Sequence, residues 1–396
     1  MQQKPILLIK DTFYNEKDTL NKLCKFIKSS RRLSMYEKCL EFEKKFAKWQ
    51  GSKYCTSFSN GSTANMALIQ SLMNLGKVNK GDLVAFSAVT WATNVMPLIQ
   101  LGLKVCPVDV EINTLNCSSK TFLETLKKNP KIKMFFITNV LGFCSDIDEI
   151  ARICKKRNIV LIEDNCESLG TIYKGKKLGN YGLAGTFSFY VGHHMSTIEG
   201  GAFVTNDEEL EVMMKIVRSH GLDRNLSKKH QDLIRKKYKL DNFDSKYIFY
   251  NLGYNFRPTE ITGFLGINQL NYIDKIVKKR EANFMSFNKA VDTQNVYPIK
   301  YDHLDLVSNF AFPMVCKSKS IQQKLIRAFD SNLIEIRPIV SGNMMNQIFI
   351  KKYVQKKHLL PNAEIIHNQG FYFGNNPDLS KSEIKILTDT IRTKIS

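Results

Sequence analysis

Between residues 54 and 205 short apolar runs alternate with amphipathic stretches, and this alternation constrains the fold more than any other feature of the chain. The runs at 54–58, 83–87, 104–108, 133–138, 158–163, 186–190 and 201–205 have the length of buried strands and are too short for helices. Helical stretches at 62–75, 93–101, 119–128 and 147–156 lie between the earlier ones. A helix that returns the chain after a strand makes the next strand parallel, so an α/β fold with a mostly parallel sheet covered on both faces is expected. Upstream, residues 36–50 place Cys39, Phe42, Phe46 and Trp49 on one face of a further helix. Together these predict one large α/β domain over 1–250 with an N-terminal helical segment, and in it a long polar surface loop at 223–247. A smaller α+β domain over 251–396 follows, with one long helix at 258–288 that has Pro258 near its first turn, strands at 310–315 and 333–336, and helices at 320–331 and 382–393.

Composition narrows the function classes. Lys and Arg number 58 against 37 Asp and Glu, a net charge of +21 that makes polyanions conceivable partners. The basic residues fall in scattered short clusters rather than one stripe, which favours a solvated surface over nucleic-acid binding. No apolar run approaches the roughly 18 to 20 residues of a membrane span, and the apolar core near the start covers only Pro5 to Ile9, too short for a leader. A soluble, cytoplasmic chain without a signal peptide is expected. The nine cysteines are odd in number and form no C-x-C or C-x-x-C pair, which points to a reducing compartment and away from zinc or cluster chemistry.

Three segments could carry chemistry. Ser59-Asn60-Gly61-Ser62-Thr63-Ala64-Asn65 opens a helix after a strand, where free N–H groups and hydroxyls suit a phosphate or simply cap the helix. Asp164 ends the run Leu161-Ile162-Glu163-Asp164, at the strand edge where open α/β sheets bind ligands. A buried Asp there can keep a ring nitrogen protonated, or cap a helix. Thr186 to Gly201 holds Ser188 and the adjacent His193 and His194 among glycines. Neighbouring histidines on an extended chain point to opposite sides, which argues against a shared metal and for an acid–base role of one of them.

These segments, with FEKKFAKWQGSKY at 42–54, NGSTAN at 60–65, VTWATNVMPLIQLGLKVCPVDV at 89–110, EDNCESLG at 163–170, FSFYVGHHMSTIEGG at 187–201 and NLGYNFRPTE at 251–260, resemble the DegT-like nucleotide-sugar aminotransferases. That family belongs to the fold-type I, aspartate aminotransferase-like enzymes that use pyridoxal phosphate. The resemblance implies that Gly61, Ser62 and Ser188 hold the cofactor phosphate, that Trp91 stacks on its ring and Asp164 pairs with its nitrogen, and that Glu167 lies beside the ring. Asn255 is expected to reach the phosphate from a neighbouring subunit, making a homodimer with shared active sites. His220, Arg224, Glu335 and Arg337 are the expected substrate contacts.

One departure matters more than these matches. Five residues after Ser188, where the aminotransferases carry the lysine that tethers the cofactor, this chain has His193. Imidazole cannot make that link, and the substitution resembles the 3-dehydratase branch, which implies pyridoxamine phosphate chemistry with His193 as the catalytic base and acid. The implied substrate is a GDP-linked 4-keto-6-deoxy sugar and the implied amino donor L-glutamate. Only Cys316 lies beyond Cys166, so the iron–sulfur cluster of one dehydratase type is not expected. Two rivals remain: a 4-aminotransferase, should another lysine such as Lys174 reach the ring, and a non-catalytic cofactor-binding regulator.

Overall fold

The computed structural model describes residues 4–393. Seven strands build the main sheet: β1 (Tyr54–Phe58), β2 (Leu83–Ser87), β3 (Lys104–Val108), β4 (Ile132–Thr138), β5 (Val160–Asp164), β6 (Ala184–Ser188) and β7 (Gly201–Thr205). Their spatial order is β1-β7-β6-β5-β4-β2-β3. β7 runs antiparallel to both β1 and β6, while every other pair is parallel. This is the expected mostly parallel α/β sheet, and all seven strands start within two residues of their predicted starts; β5 begins at Val160 and ends on Asp164.

The middle of the sheet is largely apolar because both of its faces are buried. In β4, Met134 and Phe136 join the core on one face and Phe135 and Ile137 the core on the other. The helix Gly61–Asn74 covers the first face with Ala64, Leu68 and Leu72. Helices Ser119–Lys128 and Ile147–Lys156 cover the second with Phe122, Ile147 and Ile150, in a core continuous with the C-terminal residues. Helix Glu37–Gln50 buries Cys39, Phe42 and Phe46, and Phe46 meets Phe187 and Phe189 edge-on with ring centroids 5.3 Å apart.

A second sheet, β8 (Ala311–Val315), β10 (Gly370–Gly374) and β9 (Ile336–Arg337), is antiparallel with β10 in the centre. The expected strand at 333–336 is shorter because Leu333 sits at φ 53, in the left-handed region, so extended pairing with β10 begins only at Ile336. Its neighbour Ile334 instead bridges to Ile6 near the start of the chain.

Two further expectations are corrected. The single helix at 258–288 is two, Glu260–Leu270 and Ile273–Asn288, and Pro258 precedes the Thr259 cap instead of lying in the first turn. The break falls at Tyr272, whose ring packs 5.5 Å from Tyr14 and whose hydroxyl donates to Asp18. The 223–247 segment is not all loop: Lys228–Lys237 is helical, capped by Ser227 and with no buried residue, so it lacks the apolar stripe that betrays a helix in sequence. Arg235 ties it to buried Asp223 at 2.7 Å. Among the described residues no helix is long and apolar enough to cross a membrane.

Candidate active site

The carboxyl ends of β4, β5 and β6 deliver Thr138, Asp164 and Ser188 to one cavity of about 530 Å³. It also takes in Gly61, Ser62, Trp91, Glu167, His193, Glu335 and Arg337. Nine residues singled out in the sequence therefore converge from segments up to 276 positions apart, Gly61 to Arg337.

Close packing fixes the cavity floor. Gly61 and Ser62 open the helix Gly61–Asn74, and Asn60 caps it by accepting from Thr63 N at 2.8 Å, which leaves the first backbone N–H groups free. A Cβ at Gly61 would lie 2.8 Å from Ser188 Cβ, so only glycine lets the helix start sit against β6. Gly201, paired with both Phe58 and Ser188, is held as tightly: a Cβ there would stand 2.3 Å from the carbonyl of Asn60. The resulting hollow of N–H groups and two hydroxyls fits an anion such as phosphate.

Asp164 is buried and fully engaged. Its Oδ2 accepts from Asn65 Nδ2 and Asn94 Nδ2, both at 2.8 Å, and its Oδ1 accepts from Cys166 N at 2.9 Å. Asn65 is itself oriented by Thr186, which donates to Asn65 Oδ1 at 2.6 Å. Three donors fix the carboxylate in place, as a partner for a cationic ring nitrogen requires. Sequence reasoning passed over Asn65, Asn94 and Thr186 although all three stand inside the segments singled out. The signal was spacing: Asn65 follows Gly61 by four residues, one helical turn into the same motif.

His193 packs 5.4 Å from the ring of Phe310 and 5.8 Å from that of Tyr190. Burial lowers its pKa to about 4; the carboxylate of Asp164 opposes that shift and the guanidinium of Arg280 adds to it. The imidazole is thus a neutral base at neutral pH. Its neighbour His194 is turned away, with Nε2 3.0 Å from the carbonyl of Ser308. Burial and the nearby Asp164 raise Glu167 to about 8, although its Oε2 accepts from Leu141 N at 2.9 Å. Glu167 is therefore mostly a neutral carboxyl at pH 7.

Among the described residues no lysine lines the cavity. Lys174 is exposed and ion-paired with Asp148 at 2.5 Å, which removes it as a substitute tether. Trp91 presents an indole 55% exposed to the cavity, a flat surface on which a ring can stack. Glu335 and Arg337 enter as a pair 2.5 Å apart, and Glu335 also accepts from Leu8 N at 2.9 Å. That bond draws Leu7, Leu8 and Ile9, the apolar run near the start of the chain, into the cavity wall, a placement the sequence did not suggest.

Asn255, His220 and Arg224 do not line this cavity. All three are exposed; Ser219 bridges to Asn255 and His220 N donates to Tyr254 O at 2.7 Å, which brings His220 and Asn255 near each other. Among the described residues no three His, Cys, Asp or Glu side chains converge to hold a metal.

The chain is 35% identical over 369 residues to GDP-4-keto-6-deoxy-D-mannose 3-dehydratase of Escherichia coli, spanning 92% of this chain and 94% of that protein. A crystal structure of GDP-4-keto-6-deoxymannose-3-dehydratase with a trapped PLP-glutamate geminal diamine superposes with TM-score 0.87 at 33% identity, over 98% of this chain and all of that one. A mutant of the same enzyme with bound GDP-perosamine superposes at 0.88 and 32%, again over 98% and 100%. Residues 14–392 match the DegT/DnrJ/EryC1/StrS aminotransferase family, so the chain belongs to that family.

Proposed function

We propose that this chain is a pyridoxamine phosphate-dependent 3-dehydratase that removes the 3-hydroxyl of a nucleotide-linked 4-keto-6-deoxy sugar, with GDP-4-keto-6-deoxy-D-mannose as substrate and L-glutamate restoring the cofactor. The observation that carries the reading is a neutral imidazole at 193 in a cavity that no lysine among the described residues lines. A lysine-dependent aminotransferase has no tether here, and an inert relative has no need of a buried base facing a held carboxylate.

The residues present fit the cofactor: free N–H groups at Gly61 and Ser62 with the Ser188 hydroxyl for the phosphate, Trp91 for the ring face, and Asp164 for the ring nitrogen. When bound, the cofactor supplies an amine that condenses with the 4-keto group and a ring that stores an electron pair. His193 moves the proton. Neutral, it takes a proton from carbon; protonated, it delivers that proton to the departing 3-hydroxyl oxygen, which leaves as water rather than hydroxide. Glu167, protonated, can donate a hydrogen bond to the ring edge as a glutamine would.

The work divides between the two units of the chain, 1–250 holding the cofactor and 251–396 contributing Glu335, Arg337 and Tyr372 to the sugar side. Arg337 offers the charge for a diphosphate or for the carboxylate of glutamate. Asn255, His220 and Arg224 act in the cavity of a second copy, so the working enzyme is a homodimer, in the cytoplasm where nucleotide sugars are made. All three are exposed and none lines the chain's own cavity, which supports this. Incubation with GDP-4-keto-6-deoxymannose, pyridoxal phosphate and L-glutamate, each omitted in turn, tests the reading: loss of one oxygen that requires all three is expected, and a 4-amino sugar would overturn it.

A further inference from the structure

Arg280, on the helix Ile273–Asn288, is 5% exposed, and among the described residues it makes no ion pair. Its guanidinium is met by three carbonyls instead. Nη2 donates to the carbonyl of His193 at 3.1 Å, and Nη1 donates to the carbonyls of Phe310, at 3.3 Å, and Asn375. Asn375 completes the arrangement, because its Nδ2 donates to the carbonyl of Arg280 at 2.8 Å and to Asn309 Oδ1 at 2.9 Å. Phe310 is shared as well: its ring lies 5.4 Å from His193 and 6.0 Å from His194. Leaving a cation in the interior with only dipoles for company is costly, which makes a purely structural use of arginine here uneconomical.

We propose that Arg280 is a positioning residue for His193: it pins the peptide of the catalytic histidine to the C-terminal unit and, as a fixed cation behind the ring, favours the neutral imidazole. The proposal rests on the reading of His193 as the proton-moving group. The charges around the imidazole bear this out. Asp164 faces it across the cavity, and Glu167, Glu199, Glu335 and Arg337 line the same space. Behind it lies a small cavity of about 40 Å³ that His193 shares with Arg280, His194, Asp11 and Asp378. Asp378 is already paired with Lys279 at 3.0 Å, His194 is held neutral by burial and Asp11 is the other carboxylate there, so Arg280 is the one cation on that side that contacts the peptide of His193.

The test is a pH titration of the histidine side chains in the purified full-length protein, labelled with 15N at its seven histidines, with His193 assigned by comparison with His193→Ala. In Arg280→Met the midpoint of His193 rises by about half a unit or more, as loss of a nearby cation requires. In Arg280→Lys, which keeps charge but not the three-way fork, the midpoint stays within about 0.3 unit of the parent while kcat for the sugar falls about tenfold or more and KM moves less than about threefold. An unmoved His193 midpoint in folded Arg280→Met overturns the proposal. Should Arg280→Met not fold, an unchanged kcat in Arg280→Lys overturns it in the same way. The titration uses no substrate, so a failed sugar assignment and a failed role for Arg280 give different results.

Discussion

His193 carries no proton at neutral pH because burial holds its pKa near 4 against the pull of Asp164. Its neutrality in the folded state and its ready protonation in the unfolded chain make stability fall as pH drops from about 6.5 towards 4. His194, also lowered by burial, adds to the same acid limb. Glu167 acts in the opposite range. Its folded pKa, about 8, exceeds the unfolded 4.5, so the protein loses stability as pH rises between those values. Glu167→Gln removes this term, and thermal melts from pH 5 to 8 are expected to show a flatter profile than the parent. Asp164 depends on its donors: Asn94→Ala strips one N–H from a buried carboxylate, at about 1–3 kcal/mol, and weakens pyridoxamine phosphate binding by roughly tenfold or more in a fluorescence titration. The imidazole and the carboxylate were legible as residues in the sequence. Asn94 and Thr186 were not, since they reach Asp164 and Asn65 only after the sheet and the helix Gly61–Asn74 pack together.

The elements that build the floor of the site were the easiest to read, because each buries apolar residues on a fixed period. Helix Glu37–Gln50 shows this: Phe46 is fully buried against Phe187 and Phe189, and Phe46→Ala should cost about 3–5 kcal/mol, read as a lower denaturation midpoint. Gly61→Ala asks a different question of the helix Gly61–Asn74. The added methyl meets Ser188 Cβ at 2.8 Å, so the helix start must move away from β6. Cofactor affinity is expected to fall about tenfold or more while the melting temperature changes by a few degrees at most, and an unchanged affinity would show that the hollow does not hold the phosphate. The elements that were misread lack such periodicity. Helix Lys228–Lys237 buries nothing, and the break at Tyr272 is set by contacts with Tyr14 and Asp18, some 250 residues earlier.

On the scale of the whole molecule, the cavity is closed by parts that sequence order keeps far apart. Leu7 to Ile9 reach it through the bond from Leu8 N to Glu335, and Tyr372 enters because β9 and β10 pair Arg337 with Tyr372. Glu335→Ala is expected to release both the segment around Leu8 and Arg337, raising KM for the nucleotide sugar several-fold with a smaller effect on cofactor binding. No periodicity could have announced that wall, since a clasp between residue 8 and residue 335 exists only in the folded chain. The most direct measurement is the mass of the nucleotide sugar after incubation of the parent protein and of His193→Ala with GDP-4-keto-6-deoxymannose, pyridoxal phosphate and L-glutamate. The account predicts loss of the 3-oxygen by the parent and an unchanged sugar with His193→Ala, which still binds cofactor. Deoxygenation by both proteins, or a 4-amino sugar from the parent, would contradict it.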